Sequence, residues 1–262
     1  MYKKQIDTAL LVSLFGYLLL AVNSTNPKIV NIEIDEGLLP RIYKIAQISD
    51  LHIGALVGKK RVEEIVKKIN AQNVDLVVIT GDLIDSKLSK SKYILDELKN
   101  LKSRYGTFYI VGNHEYFRGV KEILSYMKSV GVNVLENSSM RVGDFYIAGV
   151  YDTRVGIGRD MDMNISKAYE KIPRNFPVLL LMHRPSGIYR LEGFNPSLIL
   201  SGHTHGGQIW PFGYIVKLFE PYLKGLHKLK EKSFIYVNSG TGFWGPPMRI
   251  GTDSEITVIH WK

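Results

Sequence analysis

The chain contains no cysteine. That absence excludes a disulfide framework and any thiolate metal site, so a bound metal would have to be held by His, Asp, Glu or Asn. Low-complexity stretches, internal repeats and flexible linkers are also missing from the 262 residues, and one large domain accounts for the length. No dense Lys/Arg run with interleaved aromatics marks a groove, so nucleic acid is not expected as a partner despite a formal charge of +9. Histidine is scarce too, at seven residues, yet His203 and His205 stand one residue apart in SGHTHGGQIWPFG. A solvated His-Thr-His turn is the plainer account of such a pair. On an extended segment, however, imidazoles at i and i+2 point to opposite faces and could serve two neighbouring ions.

Long apolar runs are limited to the N-terminus, where MYKK precedes the fourteen-residue ALLVSLFGYLLLAV and the polar NSTNPK follows. A cationic start and an apolar run of this length fit a secretory h-region or a short signal anchor, below the roughly 20 residues of a comfortable membrane-spanning helix. A buried helix is the alternative. No clear A-x-A stands before residue 25, so residues 1–24 are expected to act as an uncleaved signal anchor or signal-like hydrophobic helix. Lys3 and Lys4 favour that end staying inside, which places the domain at the membrane and outside the cytoplasm. Lys3 and Lys4 less Asp7 give this segment only +1 of the total +9, and the remaining charge, about +8, would draw a tethered domain to anionic headgroups.

Short apolar runs, each followed at once by polar residues, recur through the rest: RIYKIAQISDLHIG, VDLVVITGDLID, TFYIVGNHEYF, PVLLLMHRP and PSLILSGHTHGG. Aliphatic and β-branched runs bounded by turn formers predict buried strands. Between them, GKKRVEEIVKKINAQN puts Val62, Ile65, Val66 and Ile69 on one face, and KEILSYMKSVG does the same with Ile123, Leu124, Met127 and Val130 before a glycine stop. Strand, loop and helix in alternation predict a layered α/β protein with its ligand site at the carboxyl ends of the strands. After Tyr105 the pattern turns strand-rich, with RVGDFYIAGVYD, SFIYVNSGTG and EITVIHW, which suggests two packed sheets.

Every chemistry-bearing residue falls at a strand end: Asp50 and His52 in D-L-H, Asp82 in G-D, Asn113 and His114 in G-N-H-E, His183 in M-H, and His203 and His205 in G-H-T-H. Each motif alone is commonplace, but five in one chain at the same end of successive strands are hard to assign to chance. The ordered set D-x-H, G-D-x-x-D, G-N-H-E, H, G-H-x-H resembles the calcineurin-like metallophosphoesterase superfamily, from about residue 42 to the C-terminus. The resemblance implies a four-layer α/β/β/α sandwich, with two mixed β-sheets packed together and flanked by helices over residues 41–262. It also implies a binuclear centre in which Asp50, His52 and His205 hold one divalent ion, Asn113, His183 and His203 hold the other, and Asp82 bridges them. His114 would then be the general acid at the leaving oxygen, and Asp85, completing G-D-x-x-D, would orient it; a helix N-cap before Ser86 is the competing role for Asp85. Nitrogen and oxygen donors without sulfur suit Mn²⁺, Zn²⁺ or Fe, with Mn²⁺ favoured. Two divalent cations against two carboxylates leave net positive charge for a hydroxide and an anionic phosphoryl group.

The superfamily's Ser/Thr protein phosphatases follow G-D-x-x-D and G-N-H-E with phosphate-gripping arginines, whereas Ser86 and Tyr116 stand at those places here. Arg118, Arg184 and Arg249 are the remaining candidates for that work, with surface or structural roles as the plainer alternative. GHTHGGQ, YLKGLH, IYVNSGTG and PPMRIG look like the membrane-associated bacterial subgroup, which includes phosphodiesterases and a UDP-2,3-diacylglucosamine pyrophosphatase. Ser254 departs from the Pro that often stands there, and the single short anchor is lighter than in some relatives. Independently, WPFGYIVKLFEPYLKGLHKLK spaces Phe212, Ile215, Phe219, Tyr222, Leu223, Leu226 and Leu229 in near-helical order among lysines. Such a stretch can lie in the headgroup plane, or its apolar residues can cap the domain's own core. The expected activity is therefore cleavage of a phosphodiester or pyrophosphate bond in a membrane lipid or nucleotide-linked lipid. A phosphodiesterase or nuclease on a soluble substrate, and a non-catalytic metal-stabilised binding module, are the alternatives. Oligomeric state is not legible.

Overall fold

Strands that are apolar on both faces need cover on both sides. The computed structural model, which describes residues 5–7, 10–14, 16, 24–153 and 161–262, meets that need with two stacked sheets. With strands numbered along the chain, the first sheet runs β1 (Lys28–Ile34), β12 (Glu255–Trp261), β2 (Tyr43–Ile48), β3 (Leu76–Thr80), β4 (Thr107–Ile110) and β5 (Asn133–Val134). The second runs β10 (Gly225–Lys230), β11 (Ser233–Val237), β9 (Leu198–Ser201), β8 (Val178–Leu181), β7 (Phe145–Gly149) and β6 (Ser138–Val142). Strands β2 to β5 are parallel, as are β7, β8, β9 and β11. Antiparallel partners β12, β6 and β10 make both sheets mixed.

Alternation along each strand assigns the layers. Ile45, Val78, Ile110, Ile147, Leu179 and Leu200 turn into one core between the sheets, closed at one end by Phe145 and Trp261. The intervening Ala46, Val77 and Tyr109 face outward under helices α1 (Lys59–Asn70), α2 (Leu88–Leu95) and α4 (Val120–Ser129), while the short α3 (Asn113–Arg118) links β4 to α4. On the other flank, Ala148, Leu180 and Ile199 pack against Ile165 and Ala168 of α5 (Ile165–Tyr169). This is the four-layer α/β/β/α arrangement, and a buried Leu, Ile or Phe contributes roughly 1.5–3 kcal/mol to it.

The expected helical faces are in place: Val62, Ile65, Val66 and Ile69 are the buried stripe of α1, and Ile123, Leu124 and Met127 that of α4, which stops before Gly131 at φ 86°. Two expectations need correction. The first sheet begins at Lys28, because β1 pairs in parallel with all of β12, so a domain drawn from residue 41 omits a strand. The segment after the His-Thr-His loop is not one amphipathic helix. It forms only the single turn α6 (Gly213–Val216), and Gly225–Lys230 becomes edge strand β10, since glycine at φ 87° and an available sheet edge outweigh helical spacing. The signal-anchor segment lies largely outside the described residues, and no helix among those described is long and apolar enough to cross a membrane.

Candidate metal centre

Each candidate residue sits in the first turn after a strand. Ser49–His52 follows β2, Gly81–Asp82 follows β3, Asn113 opens α3 after β4, His183 follows β8, and His203 and His205 follow β9. The chain must turn sharply at these points, and Asp50, His52, Asp82, His203 and His205 all adopt the left-handed region, at φ 54°, 51°, 48°, 71° and 50°. His203 and His205 therefore diverge through left-handed turns and not through an extended segment. Side chains tolerate such backbone only where surroundings over-determine it, as commonly happens at functional sites.

The surroundings are specific. Asp50 N–H donates to Gly81 O (3.0 Å) and His52 N–H to Asp82 O (3.0 Å), zipping the D-L-H loop to the G-D loop. Glu115 is fully buried, and its carboxylate accepts the N–H groups of Asp82 (3.1 Å), Leu83 (2.7 Å), Ile84 (3.2 Å) and Gly112 (2.6 Å). One side chain thus fastens two loops together. At Gly81, φ 93°, a Cβ would meet Gly112 N and His183 Nδ1 at 2.6 Å, so only glycine lets the strands' ends close on one another.

Two largely buried triads result, with His203 the partly exposed member of the second, and a third group of His52, Asp85 and His114 lies at the rim. Donor atoms of Asp50, His52 and His205 lie within 4.8 Å of one another, and so do those of Asp82, His183 and His203. Asn113 Oδ1 is 3.2 Å from His183 Nε2, next to the second triad. Each triad mixes the sheets, with its carboxylate from the first and at least one imidazole from the second. His52 Nε2 and His205 Nε2 approach to 3.0 Å, and Asp82 Oδ2 lies 3.3 Å from His183 Nε2 and 3.8 Å from His114 Nε2. His114 and Asp85 join at the rim: Asp85 Oδ1 is hydrogen-bonded to His114 Nδ1, while its Oδ2 lies 3.2 Å from His52 Nδ1. Asp85 is therefore not an N-cap; Lys87 occupies that position at α2.

Electrostatics indicate that this cluster is short of positive charge. Burial raises Asp50 above the ordinary carboxylate range. At His183 burial acts downward, but Asp82, Asp50 and Asp152 outweigh it and push the imidazole up to about 10, so a proton takes the place a cation would fill. Burial holds His203 and His205 well below the usual range, aided by the neighbouring His183 and His52 respectively, which leaves neutral rings with lone pairs to offer. His203 Nδ1 is buried with no hydrogen-bond partner, a nitrogen that an ion would satisfy. Oxygen and imidazole donors in this number fit divalent transition metals. At the rim, burial lowers His114, but Asp85 and Asp82 overcome it and raise the ring; Asp85 itself stays well below its ordinary range, because His114 and His52 outweigh its burial.

Three further side chains shape the cleft from outside the triads. Gln208 clamps the backbone of Trp244, donating to its O (2.6 Å) and accepting its N–H (2.8 Å), which sets Trp244 on the wall of the cleft with Phe212 and Val216. Buried Glu220 accepts Ser186 N–H (2.8 Å) and stands 3.9 Å from His203 Nε2. The guanidinium of Arg249, 1% exposed, donates to the carbonyls of His205, Gly240, Gly242 and Asp253, stapling the C-terminal loop beneath the site.

Comparison with known proteins agrees with this anatomy. A model of the calcineurin-like phosphoesterase family matches residues 43–207. A metallophosphoesterase of Helicobacter pylori strain J99 is 42% identical over 235 residues, covering 89% of this chain and 64% of its own length. A Danio rerio transmembrane protein with a metallophosphoesterase domain is 35% identical over 251 residues, covering 90% of this chain and 57% of its own. The chain thus spans less than two thirds of these relatives. A Thermus thermophilus protein of known structure superposes with a TM-score of 0.51 at 16% identity, over 76% of this chain and 90% of that one, a likeness of fold. With more than half of the chain matched, and the strand-end motifs from Asp50 to His205 inside the match, this chain belongs to the calcineurin-like phosphoesterase family.

Proposed function

We propose that the protein is a binuclear metal-dependent phosphohydrolase that cleaves a phosphodiester or pyrophosphate bond in a membrane lipid or nucleotide-linked lipid, such as UDP-2,3-diacylglucosamine. The observation that carries this reading is the pair of buried triads, Asp50–His52–His205 and Asp82–His183–His203, with His114 at their rim. Asp50, His52 and His205 would hold one divalent ion and Asn113, His183 and His203 the other, with Asp82 shared and Mn²⁺ the favoured metal. Such a pair polarises phosphoryl oxygens and supplies an activated water for in-line displacement.

The chain's own groups do the rest. Asp85 takes the Nδ1 side of His114, fixing the ring so that Nε2 faces the cleft with a proton for the leaving oxygen. A positioned acid of this kind contributes typically about 10² to 10⁴ in rate. Phe212, Val216 and Trp244 line the same cleft as His114, which suits a substrate with an apolar portion beside its phosphate. Beyond the cleft, Trp210, Tyr214, Ile215, Leu218 and Phe219 are all more than half exposed, a concentration unusual for a surface that meets only water.

The test is hydrolysis by metal-stripped protein with Mn²⁺ added back, using bis-p-nitrophenyl phosphate, p-nitrophenyl phosphate and a UDP-linked diacylglucosamine. Mn²⁺-dependent cleavage of the diester or the lipid, lost in His114→Ala, is expected. Two ions bound per chain with no turnover on any substrate would instead favour a metal-stabilised binding module.

A further inference from the structure

Three arginines lie near enough in sequence to the site motifs to grip a phosphate, and their surroundings separate them. The guanidinium of Arg249 is buried against four backbone carbonyls at 1% exposure, which puts its one unpartnered Nε out of a ligand's reach. Arg118 ends α3 as an exposed side chain with no contact that ties it to the triads. Arg184 directly follows His183, and its Nε donates to Asp152 Oδ2 at 3.0 Å. That carboxylate is itself inaccessible, whereas the arginine is 28% exposed, so a fixed base holds a guanidinium whose far edge reaches solvent. Neither Nη atom has a partner among the described residues. Arg184 stands between His183 and Ser186, and Ser186 N–H donates to Glu220, which lies 3.9 Å from His203 Nε2, so its backbone runs along the side of the second triad.

We propose that Arg184 is the phosphate-gripping arginine of this protein: Asp152 fixes it through Nε, and its two Nη groups take oxygens of an anionic phosphoryl group held beside His183 and His203. A guanidinium oriented through one edge keeps a second edge for bidentate contact with phosphate, a geometry lysine cannot reproduce. Asp152, three residues past the end of β7, acts as a positioning residue. The proposal rests on the phosphohydrolase reading for its meaning but can fail separately from it.

The experiment is calorimetric titration of the Mn²⁺-loaded full chain with inorganic phosphate, alongside kcat and KM on p-nitrophenyl phosphate. Wild type, Arg184→Ala, Arg184→Lys and Asp152→Ala are compared at equal metal content and melting temperature. Arg184→Ala is expected to weaken phosphate binding at least tenfold and raise KM more than it lowers kcat. Arg184→Lys should recover only part of the loss, and Asp152→Ala, with the guanidinium unmoored, should fall between. Phosphate affinity within twofold of wild type in both Arg184 variants overturns the proposal, whatever the turnover. A wild type that binds phosphate in an Arg184-dependent way but hydrolyses nothing sinks the phosphohydrolase reading and leaves Arg184 as a phosphate-binding residue. Should Arg184→Ala not fold, Arg184→Lys decides by the same affinity criterion.

Discussion

At the residue scale, the cost of the site is concentrated in backbone. Asp50, His52, Asp82, His203 and His205 sit in left-handed turns that cost on the order of 1–3 kcal/mol each, offset by the contacts that hold them. Glu115 is the most consequential of those contacts, since four N–H groups converge on its carboxylate. Glu115→Gln must turn an amide NH₂ toward at least one of those donors. It should destabilise the fold by about 3 kcal/mol, read as a fall in denaturant midpoint, and should weaken metal uptake as the two loops separate. Asp82→Asn is expected to act differently, keeping the fold while losing at least one bound ion by metal analysis and about 100-fold or more in turnover. The identities of these residues were legible as strand-end motifs, because a turn after a parallel strand is where an α/β sheet presents its chemistry. Their left-handed backbone was not, since Asp and His visit positive φ more often than most residues but still only rarely. Nor was the role of Glu115 or Asp152, whose importance comes from what the fold brings near them.

At the element scale, periodicity read α1 and α4 correctly because each lays one apolar stripe on the first sheet. It misread residues 210–230 because near-helical spacing there is shared by a short turn, an exposed arm and an edge strand. Phe212, Ile215, Leu218 and Phe219 are exposed, so they do not cap the core, whereas Tyr222 and Leu229 pack against the outer cluster of the second sheet. The C-terminal end of the arm is fastened near the His-Thr-His loop, with Thr204 Oγ1 donating to Leu223 O (2.6 Å) and Glu220 beside His203. If the arm meets a lipid surface, Leu218→Ser/Phe219→Ser should lower partition onto anionic vesicles about tenfold or more in co-sedimentation, without shifting turnover of a water-soluble diester. Equal partition of variant and wild type would remove the arm from the membrane.

Strand β1 makes a second case. Its burial alternates only in part, and no chemistry-bearing residue follows it, so the sequence offered little to place it. Yet it covers the whole edge of β12, and close by, Arg61 donates to Ser24 O (2.7 Å) and to Thr241 O (3.0 Å). A chain beginning at residue 41 exposes that edge and leaves the Arg61 guanidinium without Ser24. It should melt lower and aggregate more than one beginning at residue 24, as size-exclusion profiles and thermal scans would report.

At the scale of the whole molecule, the two-sheet architecture was foreseeable from the number of buried strands and the strand-rich second half. The pairing of the sheets through residues such as Trp261 and Phe145 was not, because sequence order does not say which faces meet. Adding a divalent ion at about 100 times its dissociation constant should raise stability by roughly 2.7 kcal/mol per site, visible as a rise in melting temperature that chelation reverses. For metal-stripped protein, a melting temperature indifferent to Mn²⁺, Zn²⁺ and Fe²⁺ alike would exclude a resident ion from both triads.

The mixed origin of the triads has a temporal side. Asp50, His52 and Asp82 leave the ribosome long before His183, His203 and His205, and neither cluster is complete until the second sheet has been made and has docked on the first. Among the described residues, the first half alone brings together only His52, Asp85 and His114, so an ion caught early would still lack the imidazoles that complete either triad. Full ligation at either triad would therefore wait until both halves have been synthesised and joined.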